Sequence, residues 1–291
     1  MKKFVALLLA VLMVASLCAC GQKDTQTDTQ TGSDIKTVTA GKLTMSTNAQ
    51  FPPYESVADD GKGYEGTGFE GIDIEIAYAL AQKLGLELVV DDMDFDSALS
   101  AVQTGKSDIV AAGVTVTPER QNTMCFTDSY ANGVQVVIVK EGSDIKSIDD
   151  LEGKKIGTQR GTTGYSYCTD DYGEDSVVAF DDGATAVQNL LAGKVDCVVI
   201  DKAPAQEYVK ANAGLTILDT EYANENYAIG MAKDNTALQE ALNKALAAMQ
   251  AIPADHAGQI EVAVSMDANT LSLGYLIKPT LVTVDDRTPA S

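Results

Sequence analysis

One pattern occurs twice in this chain and constrains its fold more than any other feature of the sequence. Phe95-Asp96, a helix-like stretch, Gly105-Lys106-Ser107-Asp108 and an apolar run recur as Phe180-Asp181, a second helix-like stretch, Gly193-Lys194-Val195-Asp196 and another apolar run. The copies stand about 85 residues apart, so they describe two similar units and not a stack of short repeats. A strand precedes and follows the helix in each unit, and this β-α-β alternation predicts parallel strands with covering helices. A chain of 291 residues has the length for two such lobes.

Around that repeat the periodicity supplies the remaining elements. Residues 42–47 read as a strand. Residues 72–84 read as a helix, apolar at 72, 76, 77, 80, 81 and 84, with Asp73 as an early cap and Gly85 as the stop. A strand at 86–90, a helix capped by Asp96 that runs to Gln103, and a buried strand over 108–116 complete the first unit. The second unit has strands at 134–140 and 195–200, with a glycine-rich turn at 160–164 before a helix. Ser129-Tyr130-Ala131-Asn132-Gly133 makes one crossing between the units, residues 224–229 make the return, and a helix over 236–249 follows. Residues 38–130 with 230–291 are expected to form lobe one and residues 131–229 lobe two, with the two crossings as hinge.

The N-terminus reads as an address. Lys2 and Lys3 precede an apolar or small run over 4–17, too short to span a membrane comfortably and suited to a signal peptide over residues 1–20. Its ending, Leu17-Cys18-Ala19-Cys20, resembles a bacterial lipobox, which implies acylation of Cys20. A plain secretory signal is the alternative. Residues 21–37 are Thr, Gln, Asp, Ser and Gly with scarcely an apolar group, which describes a flexible tether. Beyond the signal, Cys125, Cys168 and Cys197 are odd in number and lack CxxC spacing, so a single disulfide and three separate thiols both remain open. Lys plus Arg is 21 against 42 for Asp plus Glu, a formal charge of -21 that repels phosphate backbones and argues against nucleic acid as a partner. His256 is the single histidine, so metal sites and His-dependent catalysis start poorly, and neither a metal nor a cofactor is expected.

Ligands of open α/β sheets lie beyond the carboxyl ends of the strands, which directs attention to three places. At Thr115-Val116-Thr117-Pro118-Glu119-Arg120, Thr117 caps a helix with Pro118 at its first position. Arg120 then falls in the first turn, where the helix dipole disfavours a cation by about 0.3–1 kcal/mol. Such a broken local rule fits a bidentate clamp for a ligand carboxylate, aided by Gly113 and the Thr115 hydroxyl, although a surface ion pair fits it equally. Arg160-Gly161-Thr162-Thr163-Gly164 opens a helix, where consecutive amides and a Thr hydroxyl can cradle an anion. Asp201 ends an apolar strand and can accept hydrogen bonds from an ammonium. A capping role competes, weakened because Pro204 would make Ala203 the cap. Clamp, cradle and ammonium acceptor together describe a zwitterion, and an α-amino acid fits. Asn48, Phe51, Tyr54 and Phe95 would wall its side chain, the two Phe residues being equally suited to a core.

These residues also carry a family resemblance. Thr47-Asn-Ala-Gln-Phe-Pro-Pro-Tyr-Glu55, Gly71-Ile-Asp-Ile-Glu-Ile-Ala77, Met93-Asp-Phe95, Ala112-Gly-Val-Thr-Val-Thr-Pro-Glu-Arg120, Phe126-Thr-Asp-Ser-Tyr130 and Gly161-Thr-Thr163 follow in order. Over about residues 40–250 the chain resembles the polar amino-acid family, family 3, of periplasmic-type solute-binding proteins. The resemblance implies a type II fold, two α/β lobes with parallel-rich sheets joined by two hinge strands. Those lobes close on an amino acid and deliver it to the membrane permease of an ABC importer, without chemistry. It also implies that Arg120, Thr115 and the Thr163 amide hold the ligand carboxylate, that Gly113 and Asp201 receive the ammonium, and that Phe51 and Phe95 sandwich the side chain. Two departures stand out. Asn48 replaces the Asp common in members selecting cationic amino acids or glutamine, which counts against a cationic substrate without excluding one, and Gln159 before the cradle is likewise neutral. The tail from Ala251 departs from the family ending and alternates like a strand over 259–264. The competing readings are a dehydratase on the same fold, which needs a cleft acid that is not already committed, and a ligand-sensing module for a signalling partner.

Overall fold

A computed structural model describes residues 35–250. The signal at 1–20 with Cys20, the tether up to residue 34 and the tail at 251–291 lie outside the described residues.

The chain runs through β1 (Lys42–Thr47), a small antiparallel sheet of β2 (Gln50–Phe51), β3 (Glu55–Val57) and β4 (Phe69–Glu70), then α1 (Ile72–Leu84) and β5 (Glu87–Asp92). It continues through α2 (Phe95–Gln103), β6 (Ile109–Val110), α3 (Pro118–Thr123), β7 (Met124–Phe126), β8 (Ala131–Lys140), β9 (Ile156–Gln159), α4 (Thr163–Tyr172) and β10 (Val177–Phe180). Next come α5 (Gly183–Leu191), β11 (Cys197–Asp201), α6 (Lys202–Ala211), β12 (Leu215–Ile217), β13 (Ala223–Tyr227), β14 (Gly230–Ala232) and α7 (Thr236–Gln250). The first sheet has the order β5-β1-β6-β14-β7; the second has β10-β9-β11-β8-β12, with β13 also paired to β8. β1 is parallel to β5 and β6, and β9 is parallel to β10 and β11, as the repeated β-α-β pattern requires. Both sheets are mixed, however. β14 runs antiparallel to β6 and β7, and β8 antiparallel to β11, β12 and β13. β8 and β14 enter their sheets from the crossings and so run against the parallel strands, which end there.

Each sheet buries its own core. Ile76 and Leu80 of α1 pack with Leu43 and Met45 of β1 and with Leu238 and Leu242 of α7, all at most 1% exposed. Burying each such side chain contributes about 1.5–3 kcal/mol. In the second lobe Val187 and Leu190 of α5 pack on Ile138 and Val198. Phe51 and Tyr54, from the segment after β1, join this second cluster, and the Tyr208 hydroxyl donates to the Gln50 carbonyl at 2.7 Å, so the lobes touch. Where the crossings pair, Gly133 of β8 lies under the Tyr227 ring of β13, and a Cβ at that position would overlap the ring. No helix among the described residues is long and apolar enough to cross a membrane. Cys125, Cys168 and Cys197 are free thiols, the latter two buried.

Four local expectations change. The strand expected over 108–116 shrinks to β6, because the chain turns at Gly113 (φ 54). Asp73 does not cap α1, which starts after Gly71 with no side-chain cap; its carboxylate is fully buried and bonded elsewhere. Asp94 and not Asp96 holds the cap position of α2, and Asp96 accepts from the amide of its neighbour Ser97. α6 starts earlier than Pro204 implied, with Asp201 at the cap position, yet the Asp201 side chain makes no cap bond. The β2-β3-β4 sheet was not anticipated, since strands of two or three residues carry too little alternation to read.

Candidate functional site

The ends of β1, β6, β9 and β11 and the starts of α2 and α4 meet at one cleft. Asn48, Phe51, Phe95, Gly113, Thr115, Arg120, Gln159, Thr162, Thr163 and Asp201 all line it, whereas Tyr54, also expected in the wall, is buried in the second core behind Phe51. Glu55 and Ala112 complete the wall, and the space measures about 330 Å³, part of it open to solvent.

Local chemistry places the cationic end. The Thr117 side chain accepts the Arg120 amide at 3.1 Å and Pro118 stands at the first helical position, which fixes α3 as the sequence indicates. The Arg120 guanidinium then leaves its helix. Nη1 donates to the Thr115 carbonyl at 2.8 Å, Nη2 donates to the Gly161 carbonyl of the other lobe at 3.1 Å, and Cζ lies 5.4 Å from the Phe95 ring centroid. This is a cation–π contact as well as a bridge between lobes. Burial lowers the guanidinium pKa while Glu225 and Asp201 act in the other direction. At the start of α4, the Thr162 hydroxyl donates to the Gln159 carbonyl at 2.8 Å and accepts the Tyr165 amide at 3.2 Å. The hydroxyl is therefore a helix cap and not a ligand donor; what the cradle offers an anion is the backbone N–H at the helix start.

The remaining wall is acidic and amide-rich. Asp201 accepts from the Tyr227 hydroxyl. Burial, and then the charge of Glu225, push its carboxyl up to about 7. Glu225 Oε2 accepts from Thr115 Oγ1 and from Gln135 Nε2, both at 3.0 Å. Asp73 Oδ2 accepts the Gly113 amide and the Tyr130 hydroxyl, both at 2.8 Å, and burial holds its carboxyl up at about 6 against those bonds. Glu55 is pushed well above the usual carboxylate range by burial and then by the charge of Asp73. Two adjacent buried carboxyls cannot both ionise cheaply, so Glu55 carries a proton beside an ionised Asp73. Gln159 Nε2 donates to Asn48 Oδ1 at 2.9 Å, joining the lobes with a neutral amide pair, and Asn48 Nδ2 donates to the Met93 carbonyl at 3.0 Å. Phe51 stacks on Tyr54 with centroids 5.7 Å apart. A Cβ on Gly113 would stand 2.7 Å from Phe51 Cε1, so this ring approaches the backbone only because residue 113 has no side chain.

Four groups in or behind this wall escaped the sequence reading. Asp73 was read as a cap; Glu55, Gln135 and Glu225 lie in segments whose pairing a linear reading does not reveal.

The family model for bacterial extracellular solute-binding proteins, family 3, matches residues 43–253. The chain belongs to this family. Among curated family 3 relatives it is similar to the arginine-binding extracellular protein ArtP of Bacillus subtilis, at 32% identity over 86% of this chain and 93% of that one. It is likewise similar to the ABC transporter arginine-binding protein 1 of Escherichia coli, at 35% identity over 73% of this chain and 86% of that one. Of the solved structures, the holo arginine-binding protein from T. maritima aligns with a TM-score of 0.69 at 34% identity, covering 77% of this chain and 96% of that chain. An ancestral arginine-binding protein bound to glutamine aligns with a TM-score of 0.67 at 40% identity, covering 73% of this chain and 93% of that chain. The two-lobed type II α/β fold expected of a family 3 protein is the fold observed.

Proposed function

We propose that this family 3 protein is the extracytoplasmic receptor of an ABC importer and binds an α-amino acid between its lobes without transforming it. The observation that carries this reading is the meeting of Arg120, from α3, and Asp201, at the end of β11, across one cleft, because opposite charges set on two lobes match a zwitterion. Arg120 and the amides at the start of α4 take the carboxylate. Asp201 and the Gly113 carbonyl take the ammonium, since the Gly113 N–H is committed to Asp73. Phe51 and Phe95 flank the side chain. Arginine is the first candidate: both curated relatives named above are arginine-binding proteins, and the carbonyl oxygens of Asn48 and Gln159 can accept from a guanidinium. Those amides donate as well as accept, so glutamine is second, as in the ancestral protein bound to it.

Calorimetry tests the reading. Arg120→Ala is expected to weaken amino-acid binding by about 2 kcal/mol or more, the scale of a lost charged hydrogen-bond pair; unchanged affinity removes the clamp. Delivery goes to a membrane permease, from a protein held to the cell membrane by lipid on Cys20. Cys20→Ser is expected to lose lipid label and leave the membrane fraction, and a labelled, membrane-bound variant refutes the anchor.

A further inference from the structure

We infer that Glu225 is a positioning residue for the ammonium end of the ligand: it holds the hydrogen of the Thr115 hydroxyl so that the hydroxyl oxygen faces the cleft as an acceptor. The inference rests on the amino-acid reading above.

Glu225 belongs to β13, the return crossing, and is 5% exposed. Its Oε2 receives Thr115 Oγ1 from the first lobe and Gln135 Nε2 from β8, each at 3.0 Å. A threonine hydroxyl has one hydrogen and two lone pairs. With the hydrogen turned to Glu225, the Thr115 hydroxyl has none to give a ligand carboxylate, and its lone pairs are what it offers, the backbone N–H being a separate donor. The same reasoning leaves Gly113 with only its carbonyl, because Asp73 takes the amide. Gly113, Thr115 and Asp201 all line the cleft, so the Gly113 carbonyl, the Thr115 hydroxyl oxygen and the Asp201 carboxylate stand there as acceptors. An ammonium has three donors and no acceptor, which is the complement. The corner is also short of donors: Glu225 Oε1 and Gln135 Oε1 are buried without a hydrogen-bond partner. Buried acceptors without donors are unfavourable, and a nearby cation offsets that. Glu225 and Asp201 lie close, and the charge of Glu225 follows burial among the causes that push the Asp201 carboxyl up to about 7. Arg120 and the Tyr167 hydroxyl are the other titratable groups that face this pair, and Tyr227 bonds Asp201 from β13. The Thr115 hydroxyl thus moves from the carboxylate side, where the reading of the Thr115–Arg120 segment put it, to the ammonium side.

The test compares arginine with 5-guanidinopentanoate, which lacks only the α-ammonium, by calorimetry on the full chain; glutamine and glutaramate replace them if the native protein prefers glutamine. Glu225→Gln is expected to weaken arginine binding about tenfold or more while changing the desamino analogue by less than about threefold, so that the preference for the ammonium narrows. Equal losses for both ligands, as from a role in closure alone, overturn the assignment, and so does unchanged binding. Thr115→Val removes the hydroxyl without touching Glu225 and is expected to narrow the preference in the same way. It decides the question should Glu225→Gln fail to fold, and equal losses there overturn the assignment too. A native protein that binds none of the amino acids overturns the receptor reading itself, whereas native binding with no narrowing overturns only the role of Glu225.

Discussion

At the Asp201 carboxyl, burial and the charge of Glu225 raise the pKa to about 7, whereas an ammonium ligand needs that carboxyl ionised. Binding should therefore weaken as pH falls below about 7, approaching tenfold per pH unit for one linked proton. Stability of the ligand-free protein should move the opposite way. A carboxyl raised in the folded state keeps a proton there that the unfolded chain has released. Its contribution is present below the unfolded pKa and is lost as pH rises through the folded one. Asp73, held up at about 6, and Glu55, raised further, have the same sign as Asp201. Thermal unfolding without ligand is thus expected at a lower midpoint at pH 8 than at pH 5, with Glu55→Gln flattening the difference. Calorimetric affinity over the same range should rise, and a parallel fall of both quantities contradicts the assignment of Asp201.

Short elements aim the groups that the long ones carry. α3 has six residues, yet its Thr117 cap and Pro118 start fix where Arg120 departs, and those signals were plain in the sequence because capping is local. α1 and α7 were legible for a similar reason, since their apolar spacing reports directly on a buried face. What lay beyond reach were pairings across the chain. Thr115 and Glu225 stand 110 positions apart, and Gln135 and Glu225 stand 90 apart; the antiparallel bridge of Thr115 with Tyr227 joins the first pair and the register of β13 on β8 the second. Asp73 misled because an acidic residue in a first turn usually serves the helix, whereas here it serves the Gly113 turn. That turn yields its own prediction. Gly113 has φ 54, and a Cβ there would meet the Phe51 ring at 2.7 Å, so Gly113→Ala must displace the ring or unwind the turn. Affinity is expected to fall at least about tenfold while the cores under α1 and α5 remain intact, a loss on the scale of one misplaced wall group. Wild-type affinity in Gly113→Ala excludes a tight approach of this ring to the backbone.

At the scale of the whole molecule, the proposed receptor shares the zwitterion between its lobes, so neither lobe would suffice alone. Arg120 and Gly113 come with the first sheet, whereas Asp201 and the start of α4 come with the second. Contacts that join the lobes without ligand include Asn48 with Gln159, Arg120 with the Gly161 carbonyl, Tyr208 with the Gln50 carbonyl, Thr115 with Glu225, and the packing of Phe51 and Tyr54 on the second core. These set the resting balance between open and closed forms. A ligand shifts that balance only by its difference in affinity for the two, and contacts made by the second lobe supply that difference. Asp201→Asn keeps the volume of the side chain and removes its charge, so it should weaken binding and closure together while leaving the fold unchanged. Small-angle scattering is the measurement. The native protein is expected to become more compact when saturated with its amino acid, and Asp201→Asn, brought to equal saturation, is expected to compact less because its closed form has lost the charged contact with the ammonium. Native protein that shows calorimetric saturation with no change in radius of gyration would mean that the lobes bind as a rigid pair, and the division of the zwitterion between them would then need no hinge.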